Sequence, residues 1–174
     1  MADNDARFFE VAQVNVRYPA SHDANLMYRD PKDAAQAKFS LEYALAVILL
    51  EGNCTLGNFA REGWMHPEPR ALYPCIRRCP VDRPEGEFPT EIEVVLTDGR
   101  RFETSLRMPM GSIEAPFTPG QLWAKFDGCL AGVLPPQATL ALRRALEDLD
   151  HLADIGQLTM PLRGPFALPL EDHR

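Results

Sequence analysis

The stretch from Asp30 to Gly52 constrains this chain more than any other. Asp30-Pro31 offers an N-cap followed by a proline in the first helical turn. Phe39, Leu41, Tyr43, Leu45, Val47, Ile48, Leu49 and Leu50 then occupy much of the circumference of an ideal helix. Gly52 is suited to the left-handed position that ends one. The spacing therefore predicts one helix running to Leu50 and covered by neighbours on more than one side.

The rest of the chain supplies those neighbours. Phe8 to Tyr18 reads as a strand: Val11, Val14 and Val16 are β-branched, Gln13, Asn15 and Arg17 alternate with apolar positions, and Pro19 stops it. Short helices are predicted over Thr55 to Glu62 and Glu68 to Tyr73, and a strand over Ile76 to Val81. Glu91 to Thr97 and Arg101 to Met108 alternate around Asp98-Gly99, the signature of a hairpin with a two-residue turn. Ile92, Val94 and Leu96 share one face of the first strand, and Phe102, Thr104, Leu106 and Met108 one face of the second. Thr118 with Gln121 forms a capping box ahead of a helix from Gly120 to Leu130, and a longer helix spans Pro136 to Leu152. This order predicts an α+β fold, a mostly antiparallel sheet of about four strands with helices on one face. The whole chain, 1–174, reads as a single domain with irregular tails at 1–6 and 161–174.

Composition excludes several classes. The 174 residues carry a net charge of −7, which argues against a nucleic-acid surface. The pairs Arg77-Arg78, Arg100-Arg101 and Arg143-Arg144 are expected to be solvated surface. No apolar run reaches the roughly 20 residues that span a bilayer, and the acidic start Met1-Ala2-Asp3-Asn4-Asp5 lacks the features of a signal peptide. A cytoplasmic protein is the expectation. Cys54, Cys75, Cys79 and Cys129 are too scattered for a disulfide scaffold, and Cys75-x3-Cys79 lacks a companion pair, so no metal site is expected. No phosphate loop or nucleophile elbow is present, and no cofactor is implied.

Four stretches, in order, resemble the C-terminal domain of the MmgE/PrpD family. They are Phe9 to Val16; Ala37 to Ala46 with Gly52 and Thr55-Leu56-Gly57-Asn58-Phe59; Val94 to Gly99 with Gly111; and Pro116-Phe117-Thr118 with Lys125-Phe126 and Leu146-Glu147-Asp148-Leu149. Family members include 2-methylcitrate dehydratase, cis-aconitate decarboxylase and iminodisuccinate epimerase. The resemblance implies a lid that closes on an all-helical domain, in a lyase or isomerase that abstracts a proton beside a carboxylate of a small di- or tricarboxylate. The family's catalytic Asp, His and Lys motifs belong mainly to the helical domain, so this chain is not expected to be catalytic alone. The helical domain would come from a separate chain or a homodimer partner.

Within the lid the resemblance gives Tyr43 a place facing the cleft, as a catalytic hydrogen-bond donor or proton relay. A tyrosine packed in the core with its hydroxyl at the rim is the alternative. Lys38, about 140° around an ideal helix from Tyr43, could bind a substrate carboxylate or pair with Asp33 or Glu42. Ser40 could point the same way as Tyr43, and Gly111 could let backbone approach a substrate or simply turn the chain. The other functional class left open is a non-catalytic module that binds a small ligand or a protein.

Overall fold

The structure is a computed structural model and describes residues 10–60, 63–84 and 88–164. Two compact units, Met1–Pro116 and Phe117–Arg174, are described separately. Four strands form one sheet in the first unit: β1 (Val11–Pro19), β2 (Ile76–Val81), β3 (Thr90–Leu96) and β4 (Arg101–Leu106), in the order β2-β1-β3-β4. β1 runs parallel to β2 and antiparallel to β3, and β3 is antiparallel to β4. The α+β, mostly antiparallel expectation holds, with one parallel pair at the β2 edge.

The alternation along β1 has a phase break that the ladder resolves. Val11 opposes Leu96 but Gln13 already opposes Val95, so Ala12 sits in a bulge. The extra residue returns Val11 to the same face as Val14, Val16 and Tyr18, and all four are buried. Opposite them in register lie Val94 and Ile92, then Phe102 and Thr104 on β4. Leu45 and Ala46 from a helix, with Leu72 and Ile76, close the core on this face. Burying each such Val, Leu or Ile fully is worth about 1.5–3 kcal/mol. The other face is polar: Asn15 donates to Glu93 at 2.6 Å, Arg17 pairs with Glu91 at 2.8 Å, and Arg101 pairs with Glu93 at 2.5 Å.

The Asp98-Gly99 turn is longer than the expected two residues. Leu96 and Arg100 form the last bonded pair (Leu96 N–H to Arg100 O, 2.9 Å), leaving Thr97, Asp98 and Gly99 as the loop. Gly99 takes φ +88°, and Asp98 Oδ1 accepts from Arg100 N–H at 2.9 Å. A type I turn closed by a left-handed glycine fits the strand twist as a three-residue hairpin.

The predicted Asp30–Leu50 helix is instead two: α1 (Ala34–Lys38) and α2 (Leu41–Glu51). The start is Asp33, whose carboxylate accepts from Gln36 N–H at 2.7 Å; Asp30 is drawn away to Arg70 at 2.5 Å and to Lys32. The break falls at Phe39-Ser40. Ser40 is extended (φ −114°, ψ 116°), and its Oγ accepts from Tyr43 N–H at 3.2 Å, making it the N-cap of α2. Serine offers the backbone a local partner outside the helix, so it divides an apolar run that periodicity alone reads as continuous. At the far end Gly52, at φ +81°, donates its N–H to Ile48 O as expected.

Short helices α3 (Leu56–Ala60) and α4 (Pro67–Leu72) follow, α4 leading through a 3-10 turn into β2. The remainder of the predicted helix to Glu62 lies outside the described residues. In the second unit, α5 (Pro119–Leu130) begins with the predicted Thr118/Gln121 capping box. α6 (Pro136–Glu147) ends before the predicted Leu152, a 3-10 turn taking over at Leu149–His151, and α7 is Gly156–Thr159. Arg143 of α6 joins the helix to α5 by stacking on the Trp123 ring at 4.6 Å and pairing with Asp127 at 3.6 Å, and pairs with Glu147 within α6 at 3.0 Å. Met160–Leu162 is a further 3-10 turn that reaches into the expected irregular tail 161–174; the expected tail 1–6 and residues 165–174 of the other lie outside the described residues.

One arginine departs from the surface expectation. The Arg78 side chain is 3% exposed and grips Glu42, itself 4% exposed, through Nε–Oε1 at 2.8 Å and Nη2–Oε2 at 2.6 Å. It also donates to the carbonyls of Leu26 and Tyr28 and reaches Asp23 at 3.3 Å. A fork of five N–H donors can satisfy a buried carboxylate and a loop's carbonyls together, which Lys could not do.

Candidate functional site

The α1–α2 junction brings Ser40 and Tyr43 together as one hydrogen-bonded unit. Ser40 is 2% exposed and spends its oxygen on the α2 cap. Tyr43 is fully buried, in a cluster with Ala37, Val47 and Trp64, and Phe59 meets its ring edge-on at 5.6 Å. Its hydroxyl donates to the Asn58 carbonyl at 2.5 Å.

That carbonyl is held in place by the side chain of the same residue. Asn58 Oδ1 accepts from the Thr55 N–H at 2.7 Å and from its hydroxyl at 2.9 Å, while Nδ2 donates to Glu51 at 2.9 Å. The Thr55-Leu56-Gly57-Asn58-Phe59 stretch thus acts as an anchor: Asn58 holds the Tyr43 hydroxyl and Phe59 its ring. Gly63 closes the arrangement, since a Cβ there would lie 2.6 Å from the Tyr43 hydroxyl and 2.8 Å from the Asn58 oxygen. Neither Asn58 nor Gly63 was a candidate from sequence. The readable signal was Thr55 three residues before an amide side chain, the spacing of a local turn.

Electrostatics fix what Tyr43 can do. Burial, reinforced by Cys54 and Glu51, pushes its phenol up to about 12, so it is a neutral donor at physiological pH and not a base. Burial likewise pushes Tyr73 up to about 12, and burial with a hydrogen bond to Asp23 does the same for Tyr18. Hydrogen bonding to Glu42 raises Arg78 further above its ordinary value. The three tyrosines hold their protons more tightly folded than at their ordinary 10.0. Their contribution is complete below that ordinary value and is lost as pH rises through about 12. Alkaline titration followed by phenolate absorbance and circular dichroism is expected to show these tyrosines ionising together with unfolding. Early ionisation of all tyrosines with the fold intact would contradict it.

Lys38 and Gly111 stand apart from the buried pair. Lys38 is exposed in the last turn of α1 and forms no ion pair among the described residues; Glu42, one of its expected partners, is committed to Arg78. Gly111 lies in the loop after β4 at φ +93°, with its N–H donated to Ala115 O at 2.7 Å and Ser112 Oγ accepting from Ala115 N–H. A left-handed residue is needed there for the turn itself. A separate apolar groove of about 340 Å³ runs between α2 and the β3–β4 half of the sheet, lined by Leu45, Ile48, Leu49, Val94 and Phe102. Among the described residues no three His, Cys, Asp or Glu side chains gather to hold a metal ion, the four cysteines are free, and no helix is long and apolar enough to cross a membrane.

The mixed four-stranded sheet with its capped α1–α2 pair defines an α+β domain built around a buried tyrosine and a buried ion pair. Residues 1–151 match the model of the MmgE/PrpD C-terminal domain, and the chain belongs to that family. It is 26% identical over 162 residues to the cis-aconitate decarboxylase of Mus musculus, covering 85% of this chain and 33% of that protein. It is 26% identical over 141 residues to the cis-aconitate decarboxylase of Homo sapiens, covering 78% of this chain and 29% of that one. The chain therefore spans about a third of the length of these relatives.

Proposed function

We infer that this chain works as the lid of an MmgE/PrpD-type lyase or isomerase acting on small di- or tricarboxylates, closing against an all-helical domain. The observation that carries the reading is the coverage: a C-terminal-domain match over residues 1–151, aligned with about a third of each decarboxylase. In this reading Lys38, exposed and without an ion-pair partner among the described residues, is the cation offered to a substrate carboxylate. Gly111 keeps its loop close to the substrate. Ser40 and Tyr43 set the α1–α2 junction that aims Lys38. Direct contact between Tyr43 and substrate requires its hydroxyl to leave Asn58.

The purified chain, mixed with a helical MmgE/PrpD domain, is expected to form a complex that turns over cis-aconitate, 2-methylcitrate or iminodisuccinate. Failure of both complex and turnover overturns the reading. In the active complex Lys38→Ala is expected to raise KM about tenfold with kcat little changed, since a uniform-binding contact is lost. The same exposed substitution should leave stability within about 0.5 kcal/mol, which separates it from a folding defect. The competing class, a stand-alone ligand-binding module, is favoured by one observation, the apolar groove beside α2. A fluorescent apolar probe that bound there and was displaced by the helical domain would favour the lid.

A further inference from the structure

We propose that Arg29 is a second carboxylate-binding residue of this domain and acts with Lys38 as a two-cation clamp on a di- or tricarboxylate. The proposal rests on the lid reading and adds to it the residue that selects for more than one carboxylate. Lys38 alone offers one point charge, which a monocarboxylate satisfies as well as a tricarboxylate does.

The backbone places the two cations on neighbouring segments. Tyr28 N–H donates to the Phe39 carbonyl at 3.3 Å, which fastens the loop after β1 to the α1–α2 junction. Arg29 follows one end of that bond and Lys38 precedes the other. The loop is also held from inside, because the buried Arg78 donates to the carbonyls of Leu26 and Tyr28. The Glu42–Arg78 pair thus fixes the backbone on which Arg29 stands, while the Arg29 side chain is 66% exposed.

Charge pairing leaves these two cations available and not the others nearby. Arg70 and Lys32 are both committed to Asp30, and Arg78 is enclosed with Glu42. The ion-pair partner of Arg29 is Glu42 at 3.7 Å, beyond hydrogen-bond distance. That carboxylate already accepts two bonds from Arg78, at 2.8 and 2.6 Å. Lys38 forms no ion pair among the described residues. The Arg29 fork can therefore take one carboxylate through two parallel N–H···O bonds, and Lys38 a second by charge. Met27 and Phe39, on the same two segments, are 60% and 50% exposed. Closure against a helical domain would cover this apolar surface, exclude water and strengthen both contacts.

In the active complex with a helical domain, Arg29→Ala is expected to raise KM at least about tenfold while kcat changes far less. Arg29→Lys keeps the charge without the fork and should fall between the two. Inhibition separates a clamp from a structural role. The inhibition constant of tricarballylate, a saturated tricarboxylate without a leaving group, should rise with KM in Arg29→Ala. That of butyrate should rise much less, because one cation suffices for one carboxylate. An active complex in which Arg29→Ala leaves KM and tricarballylate inhibition unchanged overturns the clamp and leaves the lid reading standing. Equal loss of tricarballylate and butyrate inhibition overturns the clamp as well, since it would mark a general distortion. A wild-type chain that gives neither complex nor turnover overturns the lid reading itself, and the clamp with it.

Discussion

Arg78→Ala is expected to destabilise the first unit by about 3–5 kcal/mol, the cost of leaving a buried carboxylate without its partner. Glu42 is as buried as Arg78, and its remaining contact, Arg29 at 3.7 Å, is too long and too exposed to compensate. Glu42→Gln keeps the shape and an acceptor oxygen and should cost less, about 1.5–3 kcal/mol for a weakened charge-assisted bond. The double substitution Glu42→Leu with Arg78→Met should recover most of the loss, because a dry ion pair and an apolar pair of similar volume are close in free energy. Urea unfolding of the four proteins measures this directly. The Arg78 variant should also lose hydrogen-exchange protection in the segment after β1, since the carbonyls of Leu26 and Tyr28 and the Asp23 carboxylate are all held by its guanidinium. A cost below about 1 kcal/mol would mean that water reaches the pair.

What the sequence revealed and what it hid divide by range. The Thr118/Gln121 capping box, the strand Ile76–Val81 and the left-handed stop at Gly52 are decided by residues within a few positions, and each stands where local chemistry predicts it. The β1 bulge was half visible: Val11 and Val14 cannot share a face of a regular strand, yet both are apolar. The helix break at Ser40 was hidden because periodicity favours continuity, and one buried cap outweighs it. Arg78 lay beyond reach, since nothing local in Arg77-Arg78 distinguishes the exposed residue from the buried one. Its partner Glu42 stands 36 residues away. An acid within the apolar run after Phe39 was the only hint. At the candidate site the family pattern pointed to the helix carrying Tyr43. The partner of its hydroxyl, 15 residues further on, came from the folded chain alone.

Gly63→Ala carries the other large expected effect. A methyl group there would lie 2.6 Å from the Tyr43 hydroxyl and 2.8 Å from the Asn58 carbonyl oxygen, both closer than van der Waals contact allows. Neither neighbour yields easily: the phenol is wedged among Ala37, Val47, Phe59 and Trp64, and the carbonyl is backbone of Asn58, whose side chain is tethered by Thr55 and Glu51. Overpacking of this kind costs about 1–3 kcal/mol, and loss of the Tyr43 bond adds about 1 kcal/mol. Tyr43→Phe alone removes only the bond and should cost about 1 kcal/mol. In Tyr43→Phe/Gly63→Ala the closer of the two clashes disappears while the carbonyl clash remains. The double variant should therefore be more stable than the sum of the singles predicts, with a coupling of about 0.5–1.5 kcal/mol. Strict additivity would show that Gly63 and the Tyr43 hydroxyl do not meet, and the α1–α2 junction would then need another explanation for how Tyr43 is held.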